Sequence, residues 1–335
     1  LVGKRNAYQL RAMFLQMEPR RDLVPAFNAR GDQPRFYSPV LSDRPIDVGK
    51  VSGSVSCNPV IDGAFVPRHG PAADQIVIEK RINDVRARER PHDYDKYIPD
   101  ILSYFRALGA DLVPLSFDLL LAEYGGRKGG DYGRACDLEK ANLLWRSFQK
   151  NEAYPETKDP RNISNVDKRH VVRYLCYTKV VSRVLKTTTR WYAFGRKPTE
   201  VVDLICELAS KNIVLGELDF SRFDGTLGQF LRHLEKSIYL SMFRVEFADE
   251  LAGLFDDTLY QNIRTRFRCW YNNGSGRLSG SGCTSVGNTI VNWASEYIIL
   301  REMGLCHPEA IAQMGVKGGD DSVSRLFDST VATRV

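Results

Sequence analysis

KNIVLGELDFSRFDGT, residues 211–226, holds the sharpest change of pattern in the sequence. The run Asn212–Phe220 is short, apolar and rich in β-branched residues, which predicts a buried strand ending at an acid, Asp219. The turn that follows returns a second acid, Asp224, five residues later. Taken alone, D-x4-D at a strand end equally describes a turn with solvated carboxylates. Before it, Pro198 suits a first helical turn, with Val201, Val202, Ile205 and Leu208 as the apolar face. After it, the spacing predicts helices over Leu227–Phe247 and Thr284–Met303.

Two further segments belong with this one. Residues 311–326 form two short runs around Gly318-Gly319-Asp320-Asp321, which predicts a hairpin. Adjacent acids at its tip repel each other unless solvent or a cation screens them, although Gly-Asp is also ordinary turn chemistry. Ser279-Gly280 sits in a pliable loop with Gly274, Gly276 and Gly282. The helix beyond places Thr284, Asn288 and Asn292 on one polar face. Thr284 suits a cap, but asparagine is a mediocre helix former, so Asn288 and Asn292 ask for another reason.

The 335 residues allow about two domains, and 43% hydrophobic with 26% charged residues fits a globular chain. A net charge of +6 permits a polyanionic partner. Arg161–Lys197 holds ten Lys or Arg and one acid, Asp167, interleaved with Tyr174, Tyr177, Trp191, Tyr192 and Phe194. That mixture points to a phosphate-neutralising surface, against a plain solvated basic face. Seven scattered cysteines without a C-x-x-C pair argue against a disulfide framework or structural zinc, and for a reducing compartment. His307, ahead of Pro308, reads as a loop residue. There is no apolar run of transmembrane length. Eight of fifteen prolines fall in the first 71 residues, so 18–75 reads as extended, turn-rich chain. Ile98, Ile101, Leu102, Phe105 and Leu108 predict a helix ending at Gly109. Leu138, Leu143, Leu144 and Phe148 predict another over 131–150.

Acids on two strand ends brought side by side suit magnesium, a hard ion held by carboxylate, phosphate and water oxygens. Two such ions about 3.5–4 Å apart are what nucleotidyl transfer from a triphosphate uses, one at the attacking hydroxyl and one at the leaving pyrophosphate.

DFSRFDGT resembles polymerase motif A, S-G-x3-T-x3-N at 279–288 resembles motif B, and GDD at 319–321 resembles motif C, in that family's order. Over roughly residues 97–328 the chain is similar to positive-strand RNA virus RNA-dependent RNA polymerases. Tyr124-Gly-Gly-Arg-Lys128 with Tyr132 and Ala135 resembles template-side motif G, and Pro160-Arg161-Asn-Ile-Ser164 resembles motif F. With DFSRFDGT, these look most like nodavirus and tombusvirus-like members. The resemblance implies an α+β right-hand fold. Residues 1–96 would be an arm or linker, 97–211 fingers-type, and 212–335 palm, interleaved with fingers portions. Val335 falls fourteen residues after Asp321, so motifs D and E and the thumb would be missing from this chain.

The same resemblance implies Asp219 and Asp320 as principal ligands of two Mg2+ ions (Mn2+ as substitute), with the Phe220 carbonyl and a less essential Asp321. Asp224, Asn288, Ser279 and Thr284 would recognise the ribose hydroxyls, and Arg161 with Lys158 the triphosphate. RNA template, RNA product and nucleoside triphosphates are the implied partners, alongside other viral replication proteins or upstream domains. The implied setting is a replication complex on host cytoplasmic membranes, anchored outside this chain. Two alternatives stand beside this. A reverse transcriptase shares the carboxylates but usually carries a bulky aromatic where Asp224 stands, and a non-catalytic RNA-binding scaffold would not need the acids together.

Overall fold

The computed structural model describes residues 36–37, 66–67, 70–86, 92–137, 144–150, 152, 154, 159–211, 214–218 and 220–325. They fall into two units: one drawn from 1–81, 149–162 and 267–269, the other from 82–148, 163–266 and 270–335.

In the first unit β1 (Phe36–Tyr37) pairs antiparallel with β2 (Val66–Pro67). Helix α1 (Pro71–Ile78) starts on proline, whose missing N–H costs nothing in a first turn. This corrects the extended reading of 18–75 at its end; most of the rest of that stretch lies outside the described residues. Buried Asp74 gathers the unit, accepting from Gln149 Nε2 at 2.8 Å and from the Phe267 N–H at 3.2 Å.

The second unit begins with α2 (Ile98–Leu108), at the predicted bounds, then α3 (Phe117–Leu121) and α4 (Gly126–Cys136). The helix expected over 131–150 is corrected: α4 stops at Cys136, and β3 (Arg146–Gln149) is a strand. Its buried positions are Ser147 and Gln149 while Arg146 and Phe148 face out, so the usual apolar-in alternation is inverted. There follow β4 (Asn162–Asn165), α5 (Lys168–Thr188), α6 (Pro198–Ala209), β5 (Leu215–Leu218) and the short α7 (Phe223–Thr226). The helix expected over 227–247 ends early. Helix α8 (Gln229–Met242) gives way to a 3-10 turn at Val245–Phe247 and then α9 (Ala248–Asp256). The chain continues through β6 (Asn262–Thr265), β7 (Trp270–Asn272), α10 (Thr284–Glu302), α11 (His307–Ala312), β8 (Val316–Gly318) and β9 (Asp321–Arg325). His307 therefore opens a helix rather than a loop, and its ring pairs with the Tyr297 hydroxyl at 2.7 Å.

One sheet runs β4-β3-β6-β7 and the other β5-β9-β8. In the second, β9 pairs antiparallel with both neighbours, Leu218 opposite Ser322 and Gly318 opposite Asp321. Helix α10 is covered on every side, with nearly every residue from Val286 to Leu300 buried, including the polar Asn288, Thr289, Asn292 and Glu296. Trp293 anchors it, stacked between Tyr104 and Tyr297 at 5.0 and 5.3 Å.

The basic stretch 161–197 is corrected as a phosphate surface. Tyr174, Tyr177, Trp191 and Tyr192 are core residues, and only Phe194 is exposed among those five aromatics. Four of the six cations of α5 pair with carboxylates: Lys168 meets Asp131, Arg173 meets Glu250, and Lys179 and Arg183 share Glu123. Amphipathic burial explains the aromatics, and intramolecular pairing most of the charge.

Candidate active site

The β8–β9 hairpin turns at Gly319-Asp320, and Gly319 holds φ +78°, a left-handed conformation natural to glycine. Helix α10 grips this turn. The Thr289 hydroxyl accepts the Gly319 N–H at 2.9 Å, and the Asn292 amide donates to the Gly319 and Asp320 carbonyls, each at 3.1 Å. One turn earlier, Asn288 Nδ2 donates to the Asp224 carboxylate at 2.9 Å. A carboxylate only accepts, so this bond fixes the amide's orientation. Asn288 Oδ1 is thereby left buried without a partner among the described residues. Four helical residues rise about 6 Å. The Asp224 contact and the acid turn are therefore held at that interval by one rigid element.

Burial pushes the Asp224 carboxyl above the usual carboxylate range and the Asp320 charge adds to this, while Asn288 and Arg277 oppose it. The geometry agrees: Asn288 and Asn292, one helical turn apart, hold the Asp224 carboxylate and the Asp320 carbonyl. Asp321 is exposed beside them. The Phe220 ring packs on Phe223 at 4.9 Å between centroids, just before Asp224. Asp219 lies outside the described residues; β5, which leads to it, ends opposite Ser322. Among the described residues no three His, Cys, Asp or Glu form a ready-made cage. Magnesium is typically held by one or two carboxylates, with substrate phosphate and water completing its shell. An all-oxygen set without thiol or imidazole fits that ion.

Other predicted site residues are spent on the loop before α10. Ser279 Oγ accepts the Ser164 N–H at 2.9 Å and keeps its own proton to give. The Thr284 hydroxyl turns to its own loop, 3.1–3.2 Å from the carbonyls of Leu278, Ser279 and Ser281. A Cβ on Gly280 would stand 2.2 Å from the Ser164 carbonyl oxygen. Gly280→Ala is therefore expected to destabilise by about 1–3 kcal/mol through overpacking, read as a lowered thermal midpoint in calorimetry. Arg161 belongs to the first unit, half exposed and 3.7 Å from Glu152. Lys158 lies outside the described residues.

Several contributors were not foreseen. Lys317, fully buried in β8, donates to Asn292 Oδ1 at 2.9 Å and pairs with buried Glu296 at 2.7 Å. Burial holds its ammonium below the ordinary lysine range, partly offset by Glu296. Glu296 also accepts the Gly315 N–H at 3.1 Å. Arg277 donates its N–H to the Asp224 carbonyl at 2.7 Å, and its guanidinium joins buried Glu235 and Arg232. Burial works against the Glu235 carboxylate, yet the two arginines hold it below the usual range. The one signal for these in the sequence is a lone acid inside an apolar helix, Glu296, four residues after Asn292.

Comparison with known proteins adds the following. A family model described as viral RNA-dependent RNA polymerase matches residues 140–330. The RNA-directed RNA polymerase of Striped jack nervous necrosis virus is 32% identical over 186 residues, 55% of this chain and 19% of the relative. That of Black beetle virus is 29% identical over 312 residues, 88% of this chain and 31% of the relative. That of Flock house virus is 29% identical over 311 residues, with the same coverage. The chain thus spans under a third of the length of these relatives. Among solved structures, the RNA-dependent RNA polymerase of a human picorbirnavirus, an insertion-loop deletion mutant, superimposes with TM-score 0.61 at 13% identity. It covers 81% of this chain and 58% of that one, a likeness of fold.

Proposed function

Because this chain belongs to the viral RNA-dependent RNA polymerases, we propose that it carries the catalytic centre copying a positive-strand RNA genome of the nodavirus-like kind. The reaction joins the α-phosphate of a nucleoside triphosphate to the 3′-hydroxyl of a growing RNA on an RNA template and releases pyrophosphate. The observation that carries this reading is helix α10, which ties Asn288 to Asp224 and Asn292 to the Gly319-Asp320 turn.

Asp320, with Asp219, Asp321 and the Phe220 carbonyl, would hold two Mg2+ ions. Bound there, these supply an acidified 3′-hydroxyl and a stabilised pyrophosphate leaving group. The chain's own side chains select the nucleotide. The Asp224 carboxylate accepts a ribose hydroxyl, and the unpartnered Asn288 Oδ1 accepts a second. A deoxy substrate leaves one of these buried acceptors unmet, which costs more than the bond itself gives. Ser279 lends its remaining proton from the loop, and Thr284 holds that loop's shape. The motif resemblance gives Arg161 and Lys158 to the triphosphate, because a planar guanidinium suits phosphate oxygens. The setting proposed with this function is a membrane-bound replication complex in the host cytoplasm. Among the described residues no helix is long and apolar enough to cross a membrane.

The test is ribonucleotide against deoxyribonucleotide incorporation on an RNA template by the complete protein. Asp224→Ala is expected to shrink the ribose preference by roughly 10- to 100-fold, the scale of a lost charge-assisted hydrogen bond. A wild-type preference for deoxyribonucleotides would overturn the reading.

A further inference from the structure

The second basic region has the opposite character to α5. In the β3-β6-β7 portion of the first-described sheet, Trp145, Ile263, Thr265 and Tyr271 are buried, while Arg146, Phe148, Arg266 and Trp270 are exposed and Arg264 is partly so. The registers set Arg146 beside Arg264, and Arg264 opposite Trp270. The Arg264 guanidinium lies over the Trp270 indole at 5.9 Å, yet that ring remains 55% exposed. Phe148 is 42% exposed on the same face, two residues from Arg146. These three strands contain no acid. Among the described residues, neither Arg146 nor Arg264 has a carboxylate partner.

Leaving two large aromatic rings in water is costly, and so is setting unneutralised cations side by side on adjacent strands. Together they match a single-stranded nucleic acid: phosphates take the guanidinium groups, and bases of any sequence stack on the rings. We propose that this outward sheet face binds single-stranded RNA, apart from the carboxylate site, with Arg146 and Arg264 on phosphates and Trp270 and Phe148 as stacking platforms. The identity of the polymer rests on the polymerase reading; the chemistry of the face does not. Duplex RNA buries its bases and gives the rings nothing to stack on, and an acidic protein segment would need the arginines alone.

The experiment uses the complete protein and a short fluorescein-labelled oligouridylate, with anisotropy read across a salt series and photo-crosslinked peptides mapped. Trp270→Ala is expected to weaken binding about tenfold, the scale of one lost stack, with Trp270→Phe restoring most of it. Arg146→Ser with Arg264→Ser should flatten the salt dependence by one to two phosphate contacts. Crosslinks should fall on the peptide containing Trp270. Unchanged affinity and salt slope in both variants would overturn the proposal, as would duplex RNA or polyaspartate competing as well as single strands. If the wild type makes no RNA while the Trp270 dependence holds, the polymerase reading fails and the binding face stands. If synthesis is normal and Trp270 is indifferent, the binding face alone fails.

Discussion

Asp320→Asn in the complete protein is expected to cut RNA synthesis by roughly 10³-fold or more, with the thermal midpoint nearly unchanged. The amide keeps the carboxylate's shape but is a poor donor to a hard divalent ion, and metal stabilisation of phosphoryl transfer amounts to several kcal/mol. The fold is insulated from this change. What holds the turn is the Asp320 carbonyl, which accepts from Asn292, not the carboxylate. Removing one charge from the neighbourhood also relieves Asp224, whose carboxyl Asp320 pushes upward. Single-turnover incorporation beside calorimetry separates the two effects. Full synthesis by a folded Asp320→Asn protein would remove Asp320 from the metal site.

The largest stability effect is expected at Lys317. Lys317→Met leaves Glu296 charged and buried without its cation, a change that typically costs 3–5 kcal/mol. In a domain of this size that is a fall on the order of 10 °C in thermal midpoint. Adding Glu296→Gln should recover most of it, because glutamine still accepts the Gly315 N–H and no longer carries a charge. Asn292 would meanwhile lose the donor to its Oδ1, so the recovered double variant shows what the network does for synthesis apart from stability. No recovery in the double variant would mean that the ammonium group contributes through something other than this pair.

Much of this was legible in the sequence where a local pattern and a chemical need coincided. The strand before Asp219, the 284–302 helix and the Gly-Gly-Asp-Asp hairpin each follow from spacing and turn chemistry. Asp224 and Asn288, separated by 64 residues, do meet, as the motif resemblance implied. The failures have physical causes. Strand β3 buries a serine and a glutamine and exposes an arginine and a phenylalanine, so its apolar residues could pass for one stripe of a longer helix. The aromatics of α5 sit among charges in sequence, yet Tyr174 and Tyr177 are buried in the core, a separation the one-dimensional pattern does not display. Lys317 reads as an ordinary surface lysine in V-K-G, because the acid that neutralises it is 21 residues back, on another element. On the lysine side this buried ion pair leaves no local signature; only Glu296, an acid within a mostly apolar helix, hints at it.

Helix α10 also sets a rule for which changes the gene can tolerate. Asn288 and Asn292 act through their interval as much as through their chemistry. Inserting or deleting one residue between them would swing the second amide through about 100° and take it off the turn, whatever residue was added. Conservative point substitutions at Ile290 or Val291, which are buried core positions, would only adjust packing. The segment is thus under a constraint of length, and drift in this lineage should show itself there as exchanged side chains and never as indels.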